Sequence, residues 1–122
     1  MPGSGTALLE VGWIKVLPMV QPVALTKQSQ VNAAVTEVIG ELSPAVRRIR
    51  YEIGQDWEGE WAIYFRVLLS DDASRPANLR EIAPRIIRGM SDRLDLPDLG
   101  MFPHFNFRSE AEQALFNEPA WA

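Results

Sequence analysis

Apolar side chains recur along the chain with two different periods, one typical of helices and one typical of strands. Val31, Val35, Val38 and Leu42 are spaced by four, three and four residues, which places them on one face of a helix ending near Gly40 and Pro44. The same kind of spacing predicts a second helix that carries Leu79, Ile82, Ala83, Ile86, Ile87, Met90 and Leu94. Because Pro84 lies inside this second stripe, we expect a kink or a short break there.

Between the two helices the apolar period changes to two, which predicts a β-hairpin at about residues 46–69. In its first strand Ile49, Tyr51 and Ile53 alternate with charged residues. In its second strand one parity is entirely apolar and comprises Trp61, Ile63, Phe65, Val67 and Leu69. The connection is short and carries a glycine at each end, as antiparallel hairpins commonly do.

The rest of the chain predicts one more strand and a short helix. Residues 101–108 have strand character, and Pro103 restricts them to a sheet edge or a strand start. Ser109 and Glu112 have the spacing of a capping box, which predicts a short helix reaching about Asn117.

The order of these elements predicts an α+β fold. Read from the first helix, the order is αββαβ, which predicts an antiparallel sheet with helices on one face. If the apolar residues 8–17 form a strand, the order becomes βαββαβ, which is that of ferredoxin-like folds. Both are two-layer sandwiches. We expect a single domain at residues 25–118, a tail that could include a short edge strand at 1–24, and a C-terminal tail at 119–122.

Composition narrows the kinds of site that the chain could carry. At 122 residues, with 47% hydrophobic and 23% charged residues, it is typical of one globular domain. It has no cysteine, which excludes disulfides, cysteine-bound zinc, iron–sulfur clusters and thiol nucleophiles. A single histidine, His104, also excludes imidazole-rich metal sites. Any metal would have to be held mainly by carboxylates, and the favoured expectation is no cofactor and no bound metal.

Apolar residues near the N-terminus do not form a membrane signal. The stretch from Ala7 to Leu25 is interrupted by two charged residues, one glutamine and two prolines, whereas a membrane span needs about 20 mostly apolar residues. No basic segment precedes it, as a signal peptide requires. The sequence therefore favours a soluble cytoplasmic protein without a membrane contact.

Motifs of known catalytic sites are absent from the sequence. It has no glycine-rich phosphate loop, no nucleophile elbow and no zinc-binding helix motif. Asp56, Glu58, Asp71 and Asp72 could hold a divalent cation, although turns and helix caps explain them more simply. No catalytic residue is predicted, and a non-enzymatic protein is favoured.

The arginines give the clearest indication of a binding surface. Successive side chains of a strand point to opposite faces of the sheet, so the hairpin residues opposite the apolar parity share a face. If Phe105 and Phe107 face the helices, alternate residues of the last strand join that face. The predicted binding surface comprises Arg48, Arg50, Tyr64, Arg66, His104, Asn106 and Arg108. A simpler alternative is that these arginines pair with Glu52 and with Glu110 and Glu112.

Three segments of the chain resemble a group of small bacterial proteins of unknown activity. They are Tyr51-Glu52-Ile53-Gly54-Gln55-Asp56-Trp57, then Ile63 to Asp71, then Phe102-Pro103-His104-Phe105-Asn106-Phe107-Arg108-Ser109. Members of that group are often encoded beside a HEPN-type protein, as in toxin–antitoxin modules. The resemblance spans about half the chain, carries no site residues, and implies a protein partner.

Three functions are therefore compatible with the sequence. The first is a non-enzymatic protein-interaction module, antitoxin-like or accessory, that binds a protein partner or forms a homo-oligomer through the predicted surface. The second is a single-stranded nucleic-acid-binding plait that uses the same arginines, although the net charge of −4 argues against it. The third is a metal-dependent enzyme that acts through the carboxylates named above.

Overall fold

The computed structural model describes residues 28–122, and in them the chain adopts the predicted α+β fold. The elements in order are α1 (Gln28–Leu42), β1 (Val46–Gln55), β2 (Trp61–Leu69), α2 (Pro76–Arg93), β3 (Phe102–Ser109) and α3 (Glu110–Phe116), followed by a 3-10 helix at Pro119–Trp121. The strand predicted at residues 8–17 lies outside the described residues. Within them the order is αββαβ with α3 appended.

The three strands form one mixed sheet in the order β1-β2-β3. The β1–β2 hairpin is antiparallel as expected, whereas β2 and β3 pair in parallel. The antiparallel sheet expected for the αββαβ order therefore does not extend to β3. The reason is that α2 carries the chain back to the end of the sheet where β2 starts, so the next strand runs in the same direction.

The core lies between the sheet and the two long helices, as the apolar periods predict. Ile63, Phe65 and Val67 of β2 are fully buried, and they pack with the buried stripes of α1 and α2. The rings of Phe65 and Phe105 stack with centroids 4.9 Å apart. Both helices thus bury one face only, and no helix within residues 28–122 combines the length and apolar composition needed to cross a membrane.

A β-bulge at the start of β1 determines which of its residues face the helices. The register shifts between Val46 and Arg48, so that Arg47 is an extra residue in this strand. As a result Val46 and Ile49 are both buried although they are three residues apart, and Arg48 points to the opposite face.

The second helix is uninterrupted at Pro84, contrary to the expected break. Pro84 is exposed, so the backbone carbonyl left without its usual helical donor lies on the solvent side. Close contact between the helices occurs five residues further on, at Gly89. A Cβ atom built there would lie 3.2 Å from a methyl group of Val38, so a side chain at Gly89 would require Val38 to move by a few tenths of an ångström.

Tyr51 connects α1 to β1 and gives the fold a predictable response to alkaline pH. Its hydroxyl donates a hydrogen bond of 2.8 Å to Asn32 Oδ1, and burial raises the pKa of Tyr51 above its ordinary value. The folded state therefore holds the phenolic proton more tightly than the unfolded chain does. Its contribution to stability is complete below the unfolded pKa of about 10 and is lost as the pH rises through the folded pKa.

We expect Tyr51→Phe to remove this part of the pH dependence. Chemical denaturation of both proteins at several pH values between neutral pH and pH 11 measures it. The difference in unfolding free energy between wild type and variant should be constant near neutral pH and shrink above about pH 10. A difference that stays constant to pH 11 would contradict a raised pKa for Tyr51 in the folded state.

Candidate binding surface on the outer face of the sheet

The sheet face opposite the helices, here called the outer face, carries all seven predicted binding residues. Phe105 and Phe107 pack against the core, which directs His104, Asn106 and Arg108 to the other side. Across the strands, Tyr64 is the register partner of His104, and Arg66 is that of both Arg50 and Asn106. The structure thus brings the predicted residues together; a binding role for them stays a prediction.

One half of the outer face, here called the open half, presents aromatic rings to solvent. The rings of Tyr64 and His104 stack with centroids 4.9 Å apart and an interplanar angle of 14°. Phe102 lies two residues before His104 on the same side of β3, and 62% of it is exposed. Phe102 was missing from the predicted surface, although its shared parity with His104 would have identified it.

Charges within the open half are largely compensated. Arg50 and Arg66 are directly opposite each other on neighbouring strands, an arrangement that repels. Arg66 Nη2 donates a 3.0 Å hydrogen bond to Glu52 Oε1, which makes an ion pair. Arg50 Nε donates a hydrogen bond to the backbone oxygen of Ala122. The predicted pairing with Glu52 is therefore present, and the open half is more aromatic than cationic.

The other half of the outer face, here called the covered half, lies under residues 110–122, which we call the strap. Residues 119–122, which the sequence predicts to be a tail, include the 3-10 helix, in which Trp121 is only 8% exposed. Arg48 Nη2 donates a 2.8 Å hydrogen bond to the carbonyl oxygen of Trp121. Leu68 lies in register between Arg48 and Arg108 and is also buried, although it lies on the outer face.

Arg108 is the main attachment point of the strap. Its guanidinium lies over the Trp121 ring at 4.4 Å from the centroid and 5.2 Å from that of Phe116. The same group forms an ion pair with Glu118 and donates a 3.1 Å hydrogen bond to Gln113 Oε1. Stacked guanidinium groups of this kind combine cation–π and ionic attraction, which Arg makes better than Lys.

Apart from these contacts the strap is loosely attached. None of the residues of α3 is buried, and its ion pair from Glu110 to Arg47 is long, at 3.3 Å, and half exposed. Such surface pairs contribute about 0.2–1 kcal/mol each. The capping box from Ser109 to Glu112, as predicted, holds the start of α3 in place. Trp121 is therefore the anchor on which the docking of the strap depends.

The carboxylates considered for a metal site have local structural roles instead. Asp56 Oδ1 accepts 2.9 Å hydrogen bonds from the backbone amides of Glu58 and Glu60 in the hairpin turn. Asp71 Oδ1 accepts one from the amide of Ala111, and Asp72 pairs with Arg75. Across residues 28–122, His, Asp and Glu side chains form no group of three that could hold a metal ion.

Comparison with known proteins assigns no family to the chain. No family model and no curated protein matches it. Among solved structures it is similar to one described as "Metal-bound C-terminal domain of the CzcD transporter from Cuprividus metallidurans", with 17% identity and a TM-score of 0.38 over 62% of this chain and 96% of that chain. A similarity of this size concerns the chain trace and carries no argument about function.

Proposed function

We propose that the protein is a non-enzymatic interaction module that binds a protein partner, or a second copy of itself, through the open half of the outer face. The observation that supports this most is the aromatic cluster of exposed Phe102 and His104 with half-buried Tyr64, on the half of the outer face that neither the long helices nor the strap covers. Aromatic residues and arginine are the residue types enriched at the centres of protein interfaces.

The geometry of this cluster suits protein binding for a second reason. Tyr64 and His104 already stack on each other, so their rings are held in place before a partner arrives and lose little conformational freedom on binding. Arg66 is held by Glu52 beside them and can offer its remaining donors at the rim of the contact. The resemblance to proteins encoded beside HEPN-type proteins suggests such a protein as the first partner to test.

Single-stranded nucleic acid is the second candidate, because Phe102 and the Tyr64–His104 pair could stack on bases. The charges make it the weaker of the two. Arg66 and Arg108 already pair with Glu52 and Glu118, and a site that depends on phosphates needs arginines free to replace counterions. Binding of an oligonucleotide that falls steeply with salt would support this candidate over a protein partner.

Light scattering coupled to size exclusion tests the proposal for a second copy, and affinity capture tests it for another protein. We expect self-association that grows with concentration, or capture of a defined protein, and loss of either in a Tyr64→Ala/His104→Ala double variant. A wild-type protein that stays monomeric and captures the same proteins as the double variant would contradict the proposal.

A further inference from the structure

We infer that the covered half of the outer face is a binding seat for an acidic, tryptophan-bearing segment of a partner protein, which the strap fills in its absence. This inference rests on the proposed function, since it specifies the chemistry of a protein partner at a second part of the same face. The partner segment would displace the strap and contact the sheet where the strap does now.

The seat has an apolar centre with guanidinium groups on both sides. Leu68, on the central strand, is only 6% exposed and lies between Arg48 on one neighbouring strand and Arg108 on the other. The strap places the ring of Trp121 against Arg108 and an acceptor beside each arginine, the carbonyl of Trp121 at Arg48 and the carboxylate of Glu118 at Arg108. Arg48 Nε is buried and has no hydrogen-bond partner among the described residues, so the strap leaves one donor of the seat unused.

The strap shows which ligand chemistry the seat accepts. It contains three glutamates and neither lysine nor arginine, and it lies against a face that carries four arginines. Its contacts combine the Trp121 ring over Arg108, the carboxylate of Glu118 at the same guanidinium, and a backbone carbonyl at Arg48. A carboxylate near the indole of a partner segment could also accept a hydrogen bond from Arg48 Nε, which the strap does not provide.

The attachment of the strap is compatible with exchange. No residue of α3 is buried within the described part of the chain, and Leu115 and Phe116 on it remain exposed. The strap is therefore held by Trp121, by the part-buried contacts of Arg48 and Arg108, and otherwise by exposed polar contacts. Segments with few buried contacts open locally without unfolding the rest of a protein. In the open state the seat is available, and a segment with the same chemistry competes for it.

Fluorescence anisotropy with a labelled synthetic peptide of residues 109–122 tests this on the full chain. We expect the peptide to bind the Trp121→Ala protein at least tenfold more tightly than the wild type, in which the strap competes. Adding Arg108→Ala to that protein, or replacing the tryptophan of the peptide by alanine, should weaken binding at least tenfold. Trp57→Ala is the matched control, because Trp57 is 92% exposed in the hairpin turn and should leave peptide binding at the wild-type level.

No binding of the peptide to a folded Trp121→Ala protein would overturn the inference, with circular dichroism and thermal unfolding used to establish folding. If Trp121→Ala does not fold, Arg108→Gln in the wild-type chain serves instead, and release of the strap, seen as faster amide exchange in residues 110–122, is the expected result. A thymidine oligonucleotide that binds Trp121→Ala where the peptide does not would also overturn it. Tyr64→Ala/His104→Ala leaves the seat intact, so peptide binding is also measured after these two substitutions are added to the Trp121→Ala protein. Retained peptide binding there separates failure of the seat from failure of the open half.

Discussion

Phe65→Ala is expected to lower the free energy of unfolding by about 4 kcal/mol, the typical effect of removing a large aromatic side chain from a core. Phe65 is fully buried, and its ring lies 4.9 Å from that of Phe105 and 6.3 Å from that of Tyr51. The substitution would leave a cavity between the sheet and the helices, where the surrounding side chains can relax only in part. Denaturant unfolding monitored by fluorescence and circular dichroism measures the effect, with an unchanged m value as the sign of an intact two-state transition.

Tyr64→Ala is the matched control, since Tyr64 precedes Phe65 on the same strand and points to the outer face. We expect it to change stability by no more than about 1 kcal/mol, as is usual for residues outside the core. Equal losses in the two variants would show that β2 does not have one buried and one open side. The assignment of the outer face would then be wrong.

The Tyr64→Ala/His104→Ala double variant is expected to weaken partner binding or self-association by at least about 30-fold, the effect of losing roughly 2 kcal/mol at an interface hot spot. Both rings lie at the centre of the open half and stack on each other, so their removal also removes the surface that a partner would cover. Titration calorimetry with the captured partner, or sedimentation equilibrium for self-association, gives the dissociation constant.

Arg80→Ala provides the matched surface control for this binding experiment. Arg80 is exposed on α2, which lies on the opposite side of the sheet, and its removal should leave the dissociation constant unchanged. If Arg80→Ala weakens binding as much as the double variant does, the partner binds the helices and not the sheet.

Side-chain alternation explains why much of the candidate surface could be predicted from the sequence. In a strand the period of two is a local property, so burial of Phe65 and Val67 directs Tyr64 and Arg66 to the other face. The same argument correctly assigned His104 to the outer face, because Phe105 and Phe107 have the opposite parity and face the core. It missed Phe102 because the parity of the last strand was counted only from His104 onward.

Features that depend on contacts between distant residues could not be predicted in the same way. The parallel pairing of β3 with β2 depends on where α2 delivers the chain, and no short pattern encodes that position. The strap is a stronger example, since the hydrogen bond from Arg48 to Trp121 joins residues 73 positions apart. Residues 119–122 have neither helical nor strand periodicity, and only the presence of a tryptophan indicated that they could be buried.

The imidazole signal of His104 in an NMR titration is the most direct test of the open half as the binding surface. His104 is the single histidine of the chain, so one resonance reports from the centre of the surface without a substitution. We predict that this resonance shifts or broadens as the partner is added, or as the protein concentration is raised if the partner is a second copy. If the His104 resonance stays unchanged at concentrations where the protein is fully bound to its partner or fully self-associated, the proposed function is contradicted.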